Sequence, residues 1–348
     1  MNNISTTQIT SAKIVIYGAG SIGCYLGGCL IAAQHSVTLI GRPRLQQQVG
    51  EYGLHITDYK SRCHNLSSEQ VNYQQSYDEL ATADFILVTV KSGDMLDAAK
   101  AILSNATKQA VIISFQNGVS NPKILRDQLP GFAVLSGMVP FNVFNKGNGQ
   151  FHCGTEGNLA IEDPNSVTGS LQKAFLSAQL PINIYDDLSG IQWSKLIMNL
   201  NNAVNALSGV PLLDQLNDPK YRQIMAQVIK EALFVLKIAE IKLVRTGKVV
   251  PALLPTILSL PTWAFSRVAS AMLKIDPSAR SSMYEDLQLK RKTEINYLNG
   301  EIVALALKLG LNAPVNSAIV NLVKEAENKK AGSPMMSAQI LYDDLIHR

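Results

Sequence analysis

A lysine and two asparagines recur along a stretch of helical sequence that is otherwise rich in apolar residues. Lys195, Asn199 and Asn202 are spaced at i, i+4 and i+7, which places them on one stripe of a helix. Buried polar groups cost free energy unless they find partners, and asparagine is a poor helix former. The pattern therefore favours a ligand cleft over the solvated edge of an amphipathic helix. In such a cleft an ammonium group can donate a proton to an oxygen that gains negative charge.

A glycine-rich turn stands near the start of the chain, between an apolar run and a helical pattern. Gly18 permits a tight turn, Gly20 lets the backbone approach a pyrophosphate, and Gly23 lets the helix pack close to the strand. Unpaired N–H groups at the helix N-terminus then face the phosphates. The motif predicts a dinucleotide site, the alternative being a tight turn alone. The residues assigned to this site are Gly18, Ala19, Gly20, Ser21, Ile22 and Gly23.

The choice of dinucleotide depends on the end of the second predicted strand. NAD-binding proteins carry an acidic residue there, about 20 positions after the glycines. Here the chain reads Leu39-Ile-Gly-Arg-Pro-Arg44, without a carboxylate. A guanidinium can instead pair with the 2′-phosphate of NADP. We assign this role to Arg42, with Arg44 as second choice; a solvated loop arginine is the alternative.

Two further polar residues directly follow apolar runs. Lys91 comes after Phe85–Val90, and Asn117 comes after Val111–Gln116 and before Gly118. In an open parallel sheet, ligands bind beyond the carboxyl ends of the strands. A lysine there can reach an anion, and an amide can both donate and accept hydrogen bonds near a nicotinamide. The alternatives are a lysine at a helix start and an ordinary Asn-Gly turn.

A later segment adds a hydroxyl and a carboxylate. Asp276-Pro277 is expected to begin a helix that carries Ser282. On one straight helix Ser282 and Glu294 would lie about 18 Å apart, too far for one small ligand. The helix must therefore break if both act on one substrate, and Thr293 as an N-cap is the only local support. Ser282 could equally cap the helix with Glu285, and Glu294 could be a surface carboxylate.

These residues need two kinds of scaffold. From Lys13 onward, short β-rich runs alternate with helical patterns, as in a parallel sheet covered on both faces. After Asp187 only helical periodicity remains. The predicted fold class is α/β, an N-terminal Rossmann-type doubly wound parallel sheet with a C-terminal all-α domain. The predicted strands are Ile14–Tyr17, Val37–Ile40, Phe85–Val90, Val111–Phe115, Ala133–Leu135 and Ile182–Tyr185, with a hairpin-like stretch at Gly149–Glu162.

The length of 348 residues suits two domains of roughly 150 residues each. We expect a flexible tail over residues 1–11, an NADP-binding domain over 12–186, and a helical substrate and dimerisation domain over 187–348. With 47% apolar and 17% charged residues, the chain is expected to be globular. A net charge of +4, without a basic run interleaved with aromatics, gives no indication of a nucleic-acid partner. The polar tail lacks the apolar core of a secretory signal.

The four cysteines lack the spacing of a zinc site or a disulfide framework. We therefore expect that the protein binds no metal and that its cysteines stay reduced in the cytoplasm. Cys63 and Cys153 stand next to His64 and His152, but adjacent residues seldom point at one ion. The uncharged stretch Val249–Ser266 is long enough for a membrane span, but three prolines interrupt it. Buried helices or a subunit contact are favoured there, without a membrane.

The order and spacing of these motifs resemble the ketopantoate reductase (2-dehydropantoate 2-reductase) family over nearly the whole chain. The resemblance implies a Rossmann domain, a helical domain and an active site in the cleft between them. It also implies NADPH-dependent reduction of ketopantoate, or a closely related small 2-oxo acid, in pantothenate biosynthesis. The matching segments are Gly18–Gly23, Val90-Lys91, Asn117-Gly118, Lys195–Asn199, Ser281–Met283 and Thr293–Gly300.

The resemblance implies a role for each matching residue. Lys195 would be the catalytic lysine and general acid, and Glu294 would hold the hydroxyl of the substrate. Ser282 would contact the substrate carboxylate, and Asn199 would help to bind the substrate. Asn117 would sit between the nicotinamide and the substrate.

Lys91 would approach the bound ligands.

The sequence departs from the family pattern at three places. The second asparagine expected eight residues after the catalytic lysine is Ala203, and Asn202 is the replacement, one residue out of register. Gly137–Phe141 stands where small hydroxyl residues are common, and the region 249–275 is longer than is typical. These changes concern the substrate side, so they affect the choice of substrate more than the chemistry.

Two other functions fit part of the pattern. A β-hydroxyacid dehydrogenase also presents Lys-x-x-x-Asn on a helix after a Rossmann domain, but the segment Thr293–Gly300 argues against it. A non-catalytic NADPH sensor would keep the fold without the chemistry. The retention of Lys195, Asn199 and Glu294 together argues against a sensor.

Overall fold

The computed structural model describes residues 12–245, 249–270, 273 and 276–346. The tail predicted over residues 1–11 lies outside the described residues. Contacts divide the chain into two units, Met1–Gln116 with Asn121–Leu188, and Asn117–Ser120 with Ser189–Arg348. The chain thus contributes a short segment to the second unit well before the division after Leu188.

Strands form the core of the first unit. They are β1 (Ile14–Tyr17), β2 (Val37–Ile40), β3 (Leu54–Asp58), β4 (Cys63–Leu66), β5 (Asn72–Gln74), β6 (Phe85–Val88), β7 (Val111–Ser114), β8 (Ala133–Met138), β9 (Val143–Gly147), β10 (Gln150–Cys153), β11 (Leu159–Glu162) and β12 (Ile182–Tyr185). The main sheet has the order β12-β11-β8-β7-β6-β1-β2-β5. From β5 to β8 all neighbours are parallel, whereas β8 and β11 pair antiparallel. The predicted doubly wound parallel sheet is confirmed, with β11 and β12 making it mixed at one edge.

Both faces of this sheet are buried, which explains its continuous apolar strands. The helices of the unit are α1 (Ser21–Ala32), α2 (Pro43–Tyr52), α3 (Met95–Asn105), α4 (Asn121–Gln128) and α5 (Gly169–Ser177). Ile14 and Ile16 of β1 belong to a core shared with α1 and α5. Val15 and Tyr17 belong to a separate core shared with α3 and α4. Successive side chains of a strand point to opposite faces, so one apolar run supplies both cores.

A second sheet, with the order β4-β3-β10-β9, packs on the face of the main sheet that α1 covers. Its apolar residues, such as Ile56 and Phe151, join the α1 core. The predicted hairpin over Gly149–Glu162 is wrong. Instead, β10 pairs antiparallel with β9, and β11 lies in the main sheet between β8 and β12.

The second unit is helical, which confirms the predicted all-α C-terminal domain. Its helices are α6 (Ser189–Asn199), α7 (Asn201–Ser208), α8 (Leu212–Asn217), α9 (Pro219–Ile238), α10 (Leu254–Leu258), α11 (Thr262–Val268), α12 (Ser282–Gln288), α13 (Asn299–Lys308), α14 (Pro314–Lys329) and α15 (Ala338–Ile346). The apolar faces of these helices form one core. The central helix α9 begins at a proline, and Asp218 caps it by accepting hydrogen bonds from two backbone N–H groups of its first turn.

The uncharged stretch Val249–Ser266 folds into the short helices α10 and α11 and packs on α9. The buried guanidinium of Arg222 in α9 holds it there, donating to the carbonyl oxygens of Leu258 and Leu260 at 3.3 Å. The same group donates to Thr262 Oγ1 at 3.1 Å. Within the described ranges, no helix has the length and apolarity needed to cross a membrane.

Candidate active site

The turn between β1 and α1 has the geometry that a phosphate loop requires. Gly18 has a φ of +104°, and a Cβ there would lie 2.4 Å from the amide nitrogen of Val90. A Cβ on Gly23 would lie 2.7 Å from the carbonyl oxygen of Gly18. Both positions therefore exclude side chains, and α1 stays close to the sheet. A Cβ on Gly20 would find its nearest neighbour only at 3.9 Å, so it would fill open space above the turn.

The N-terminus of α1 has no side-chain cap. Gly20 is the N-cap residue and offers no side-chain acceptor to the N–H groups of the first turn. Ser21 and Ile22 occupy that turn and are partly exposed, whereas Ala19 is buried and its carbonyl oxygen accepts a hydrogen bond from Tyr73 Oη. Anions bind at uncapped helix N-termini because of the N–H groups and the helix dipole. The turn and helix therefore fit the pyrophosphate of a dinucleotide.

No acidic side chain follows β2 directly, and the packing explains why. A Cβ on Gly41 would lie 2.1 Å from Tyr73 Oη, so this position cannot carry a side chain without displacing the tyrosine. The next residue, Arg42, is exposed and forms an ion pair with Asp94, with 2.7 Å between Nη2 and Oδ2. Arg44 is exposed in the first turn of α2. Both predicted arginines thus lie beside the position where NAD-binding proteins carry a carboxylate.

Lys91 lies beyond the carboxyl end of β6 and is exposed. It precedes a short 3-10 turn, Ser92–Asp94, which begins with a buried serine. Asn121 Nδ2 donates to Ser92 Oγ at 2.8 Å and so helps to fix this turn. Because β6 is the neighbour of β1, Lys91 lies at the point where the strand order of the main sheet reverses, which is the usual ligand position in open α/β sheets.

In the second unit, Lys195, Asn117 and Glu294 form a chain of hydrogen bonds. Lys195 Nζ donates to Asn117 Oδ1 at 3.0 Å, and Asn117 Nδ2 donates to Glu294 Oε2 at 3.0 Å. The amide therefore joins a cation to an anion, and each partner orients it. Three segments that lie far apart in the sequence meet here, and all three residues were selected from the sequence.

Desolvation lowers the pKa of Lys195 to about 8, although the negative charge of Glu294 acts in the opposite direction. The lysine residue as a whole keeps some exposure to solvent. A group with a pKa close to the working pH can both hold a proton and release it, as general acid catalysis requires.

Two carboxylates hold the backbone on either side of this chain. Ser120 Oγ donates to Glu301 Oε1, which ties the loop after β7 to α13. Burial raises the pKa of Glu301. The backbone nitrogen and the hydroxyl of Thr293, next to Glu294, both donate to Glu327 Oε1 at 2.6 Å. The amide and the carboxylate are therefore anchored through their own backbones.

Asn199 and Asn202 lie on either side of an interruption at Leu200, where α6 ends and α7 begins. Both asparagines are partly exposed. The carbonyl oxygen of Asn202 accepts a hydrogen bond from Ser281 Oγ at 3.0 Å. The backbone nitrogen of Ser281 donates to the buried Asn205 Oδ1 at 2.8 Å. These bonds hold the start of α12 against α7.

Ser282 is exposed and is the first residue of α12. Ser281 is the N-cap, because its hydroxyl accepts a hydrogen bond from a backbone N–H of the first turn. The alternative in which Ser282 caps the helix with Glu285 is therefore wrong. The helix start expected at Asp276-Pro277 is also wrong, since the aspartate carboxylate accepts hydrogen bonds from Ser278 in a turn.

The break that must separate Ser282 from Glu294 is present. Helix α12 ends at Gln288, and Lys290 adopts a φ of +55°, in the left-handed region. Glu294 then precedes a 3-10 turn at Ile295–Tyr297. The serine and the carboxylate consequently belong to different elements, although no glycine or proline marks the break.

Among the residues with described positions, no group of three or more His, Cys, Asp or Glu side chains is arranged to hold a metal ion. Several contributors to the candidate site lie outside the sequence-based selection. Asp94, Tyr73, Ser120 and Glu301 act through contacts with residues far away in the chain. Only Glu301 lies directly beside a recognised motif, the segment that ends at Gly300.

Two family models match the chain. The model described as "Ketopantoate reductase PanE/ApbA" matches residues 14–166, and the model described as "Ketopantoate reductase PanE/ApbA C terminal" matches residues 187–327. The 2-dehydropantoate 2-reductase of Pyrococcus horikoshii is 26% identical over 332 residues, covering 92% of this chain and 99% of the relative. The enzyme of that name from Escherichia coli O157:H7 is 26% identical over 324 residues, covering 91% and 96%.

Solved structures show the same fold. A PanE/ApbA family ketopantoate reductase from Ralstonia eutropha JMP134 matches with a TM-score of 0.78 at 30% identity, covering 91% of this chain and 99% of that one. A ternary structure of D-mandelate dehydrogenase with NADH and anilino(oxo)acetate matches with a TM-score of 0.73 at 20% identity, covering 91% and 99%. The second likeness shows the fold alone.

The glycine turn and the uncapped start of α1 fit a dinucleotide, and together with the family matches they define a nicotinamide-dependent oxidoreductase. The two family models span most of the sequence, and the R. eutropha structure matches over nearly all of it. The chain belongs to the ketopantoate reductase family, as the motifs predicted. The family uses NADPH, which agrees with the glycine at position 41.

Proposed function

We propose that the protein reduces ketopantoate, or a closely related small 2-oxo acid, to the 2-hydroxy acid with NADPH as the reductant. The observation that carries the proposal is the cationic Lys195, hydrogen-bonded to Asn117 and with a pKa lowered to about 8. Reduction of a carbonyl group needs a donor that meets the charge developing on oxygen. An ammonium held in this way meets that need.

Bound NADPH would supply a hydride to the carbonyl carbon of the substrate. Lys195 donates a hydrogen bond to the carbonyl oxygen and then its proton, which leaves the product as an alcohol. Asn117 keeps the ammonium in position through the 3.0 Å bond to its Nζ. Glu294 acts on the same amide and keeps part of the charge on the lysine.

The remaining polar residues are proposed to bind the substrate. Glu294 accepts from the substrate hydroxyl, while Asn199 and Asn202 line the same side of the α6–α7 stretch. Lys195 and Asn199 lie one helical turn apart on α6, and Asn202 follows in the first turn of α7. Ser282 is proposed to contact the substrate carboxylate, because the hydrogen bonds of its neighbour hold it beside Asn202.

The first unit is proposed to be the NADP-binding domain, with the boundaries 12–186. The residues from Gly18 to Gly23 hold the pyrophosphate, Arg42 binds the 2′-phosphate, and Lys91 approaches the bound ligands. The helical part, 187–348, is proposed to bind the substrate. Asn117 is proposed to serve both cofactor and substrate, which suits the assignment of its loop to the second unit.

The test is an NADPH oxidation assay with ketopantoate beside pyruvate, 2-oxoisovalerate and an aromatic 2-oxo acid. Wild type is compared with Lys195→Ala and with Lys329→Ala, which removes an exposed lysine from the end of α14. We expect the first variant to lose at least about a hundredfold in kcat, the usual contribution of a general acid. Its NADPH affinity, measured by fluorescence titration, should stay unchanged, and the control variant should behave as wild type.

The substrate panel and the titration separate the competing functions. Nucleotide binding without turnover of any 2-oxo acid would favour a sensor. Faster oxidation of a 3-hydroxy acid than reduction of every 2-oxo acid would favour a β-hydroxyacid dehydrogenase. Undiminished turnover by Lys195→Ala would remove the basis of the proposed mechanism.

We further propose a homodimer formed through the helical unit. A contiguous exposed apolar patch typically marks a subunit contact. Five exposed large apolar side chains lie on α9, on α11 and on the turn before α10, and α10 packs against both of these helices. They are Phe234, Ile238, Leu253, Trp263 and Val268. Sedimentation of a Trp263→Ser variant tests this, with monomer as the expected result.

The four free cysteines support the proposal of a cytoplasmic location, because disulfides are rare in the cytoplasm.

A further inference from the structure

An acidic side chain reaches the candidate 2′-phosphate site from a distant part of the sequence. Asp94 Oδ2 lies 2.7 Å from Arg42 Nη2, although 52 positions separate the two residues. Arg42 follows β2, whereas Asp94 ends the short turn after β6. The side chains of Arg42 and Asp94 are 73% and 48% exposed. A nucleotide could therefore reach both groups.

The position of Asp94 makes this contact informative. Asp94 is the N-cap residue of α3, where an aspartate ordinarily accepts a hydrogen bond from an N–H group of the first turn. No such side-chain bond forms here. The Asp94 backbone lies at φ −96° and ψ 7°, in the 3-10 turn that leads into α3, and its carboxylate contacts Arg42 rather than the helix start.

Apart from Asp94, the charged side chains named at this site are arginines, which suit the 2′-phosphate of NADPH. A side chain at position 41 would have to displace Tyr73, so the present packing disfavours the acidic residue of NAD-binding proteins there. Arg42 and Arg44 are both exposed beside it. Asp94 is thus the acidic group that contacts the arginine assigned to the 2′-phosphate.

Resting on the proposed function, in which Arg42 binds the 2′-phosphate, we propose that Asp94 sets the discrimination between NADPH and NADH. The 2′-phosphate of NADPH must share the guanidinium with a carboxylate or displace it, which weakens NADPH binding. The 2′-hydroxyl of NADH can donate a hydrogen bond to the same carboxylate. Asp94 therefore reduces the preference for NADPH over NADH that Arg42 creates.

The expected size of the effect follows from electrostatics. Two unit charges about 4 Å apart in water-like surroundings change a binding constant about fivefold. A phosphate monoester carries roughly −1.5 to −2 charges at neutral pH, so removal of the carboxylate should strengthen NADPH binding about tenfold. Salt should reduce this gain, because the site is exposed.

The experiment measures the Kd of NADPH and of NADH by fluorescence titration at low and at moderate ionic strength. It compares wild type, Asp94→Asn, Arg42→Ala and the control Asp97→Asn. Asp97 lies three residues further along and pairs with Lys100 instead, so this control removes the same charge without touching Arg42. Thermal unfolding confirms that each variant folds, which the exposed positions favour.

We expect Asp94→Asn to lower the Kd of NADPH about five- to tenfold while the Kd of NADH stays constant or rises. The control should change either Kd by less than twofold. An Asp94→Asn variant that matches the control would overturn the inference. An Arg42→Ala variant that keeps the wild-type ratio of the two Kd values would instead refute the assignment of Arg42, and with it the premise taken from the proposed function.

Discussion

Glu294→Gln is the sharpest test of the electrostatic role given to the Lys195, Asn117 and Glu294 chain. Glutamine keeps an oxygen that can accept from Asn117 Nδ2, so the hydrogen bond survives while the negative charge is lost. That charge acts to raise the pKa of Lys195, against the desolvation that lowers it to about 8. Its removal should therefore lower the pKa further.

The magnitude follows from the distances. The ammonium and the carboxylate each lie 3.0 Å from an atom of one amide group. This places the charges roughly 6–8 Å apart, and at an effective dielectric constant of about 20 to 80 they interact by roughly 0.5–3 kcal/mol. Since about 1.4 kcal/mol corresponds to one pH unit, the titration of Lys195 should move down by about one unit.

The assay is the pH dependence of kcat with saturating ketopantoate and NADPH. Because reduction needs the protonated lysine, kcat of the wild type should fall as the pH rises through about 8. In Glu294→Gln this fall should begin about one pH unit lower. Weaker substrate binding would raise KM without moving this limb of the kcat profile, so the two roles of Glu294 can be separated.

The control is Glu325→Gln, which removes an exposed carboxylate that pairs with Lys329 on α14. Its profile should coincide with that of the wild type. A Glu294→Gln profile that stays in place or moves to higher pH would refute the electrostatic reasoning.

Four further substitutions test other parts of the structure. Gly18→Ala places a Cβ 2.4 Å from the backbone at a φ of +104°, so titration should show NADPH affinity reduced at least about tenfold, with a lower melting temperature. Arg222→Met leaves several buried acceptors without a donor, and urea unfolding should show a loss of about 3 kcal/mol or more; a loss below about 1 kcal/mol would contradict this. Glu301→Ala and Ser120→Ala should each lower kcat by roughly tenfold, through displacement of the Asn117 amide, and weaken NADPH binding by less than the loss of kcat. Equal losses of kcat and NADPH affinity would point to a general structural role.

Much of the first unit could be predicted from the sequence because its main strands are buried on both faces. Ile14–Tyr17 is an uninterrupted apolar run and Val37–Ile40 is interrupted only by Thr38, and the structure has both strands at the predicted bounds. The second sheet could not be predicted. Its strands, such as Cys63–Leu66 and Val143–Gly147, are short and half polar, and they are stabilised by pairing with distant partners rather than by local propensity.

The candidate site divides in the same way. Lys195 and Asn117 could be selected because each stands in a local pattern, a helical stripe and a strand end. The contacts of Asp94 with Arg42 and of Ser120 with Glu301 join segments that no local pattern relates. The sequence required a helix break only if Ser282 and Glu294 act on one substrate. Its position near Lys290 could not be predicted, since a lysine seldom adopts a positive φ and tertiary packing must hold it there.

The chain enters the second unit twice, first for the four residues Asn117–Ser120 and again after Leu188. Cutting the gene after Leu188 would therefore leave the loop Asn117–Ser120 on the N-terminal fragment, away from the rest of the second unit. The C-terminal fragment would keep Lys195 and Glu294 but lose the amide that joins them. A split anywhere between Asn121 and Leu188 has the same consequence, so an exchange of the helical half between relatives must also carry the loop Asn117–Ser120.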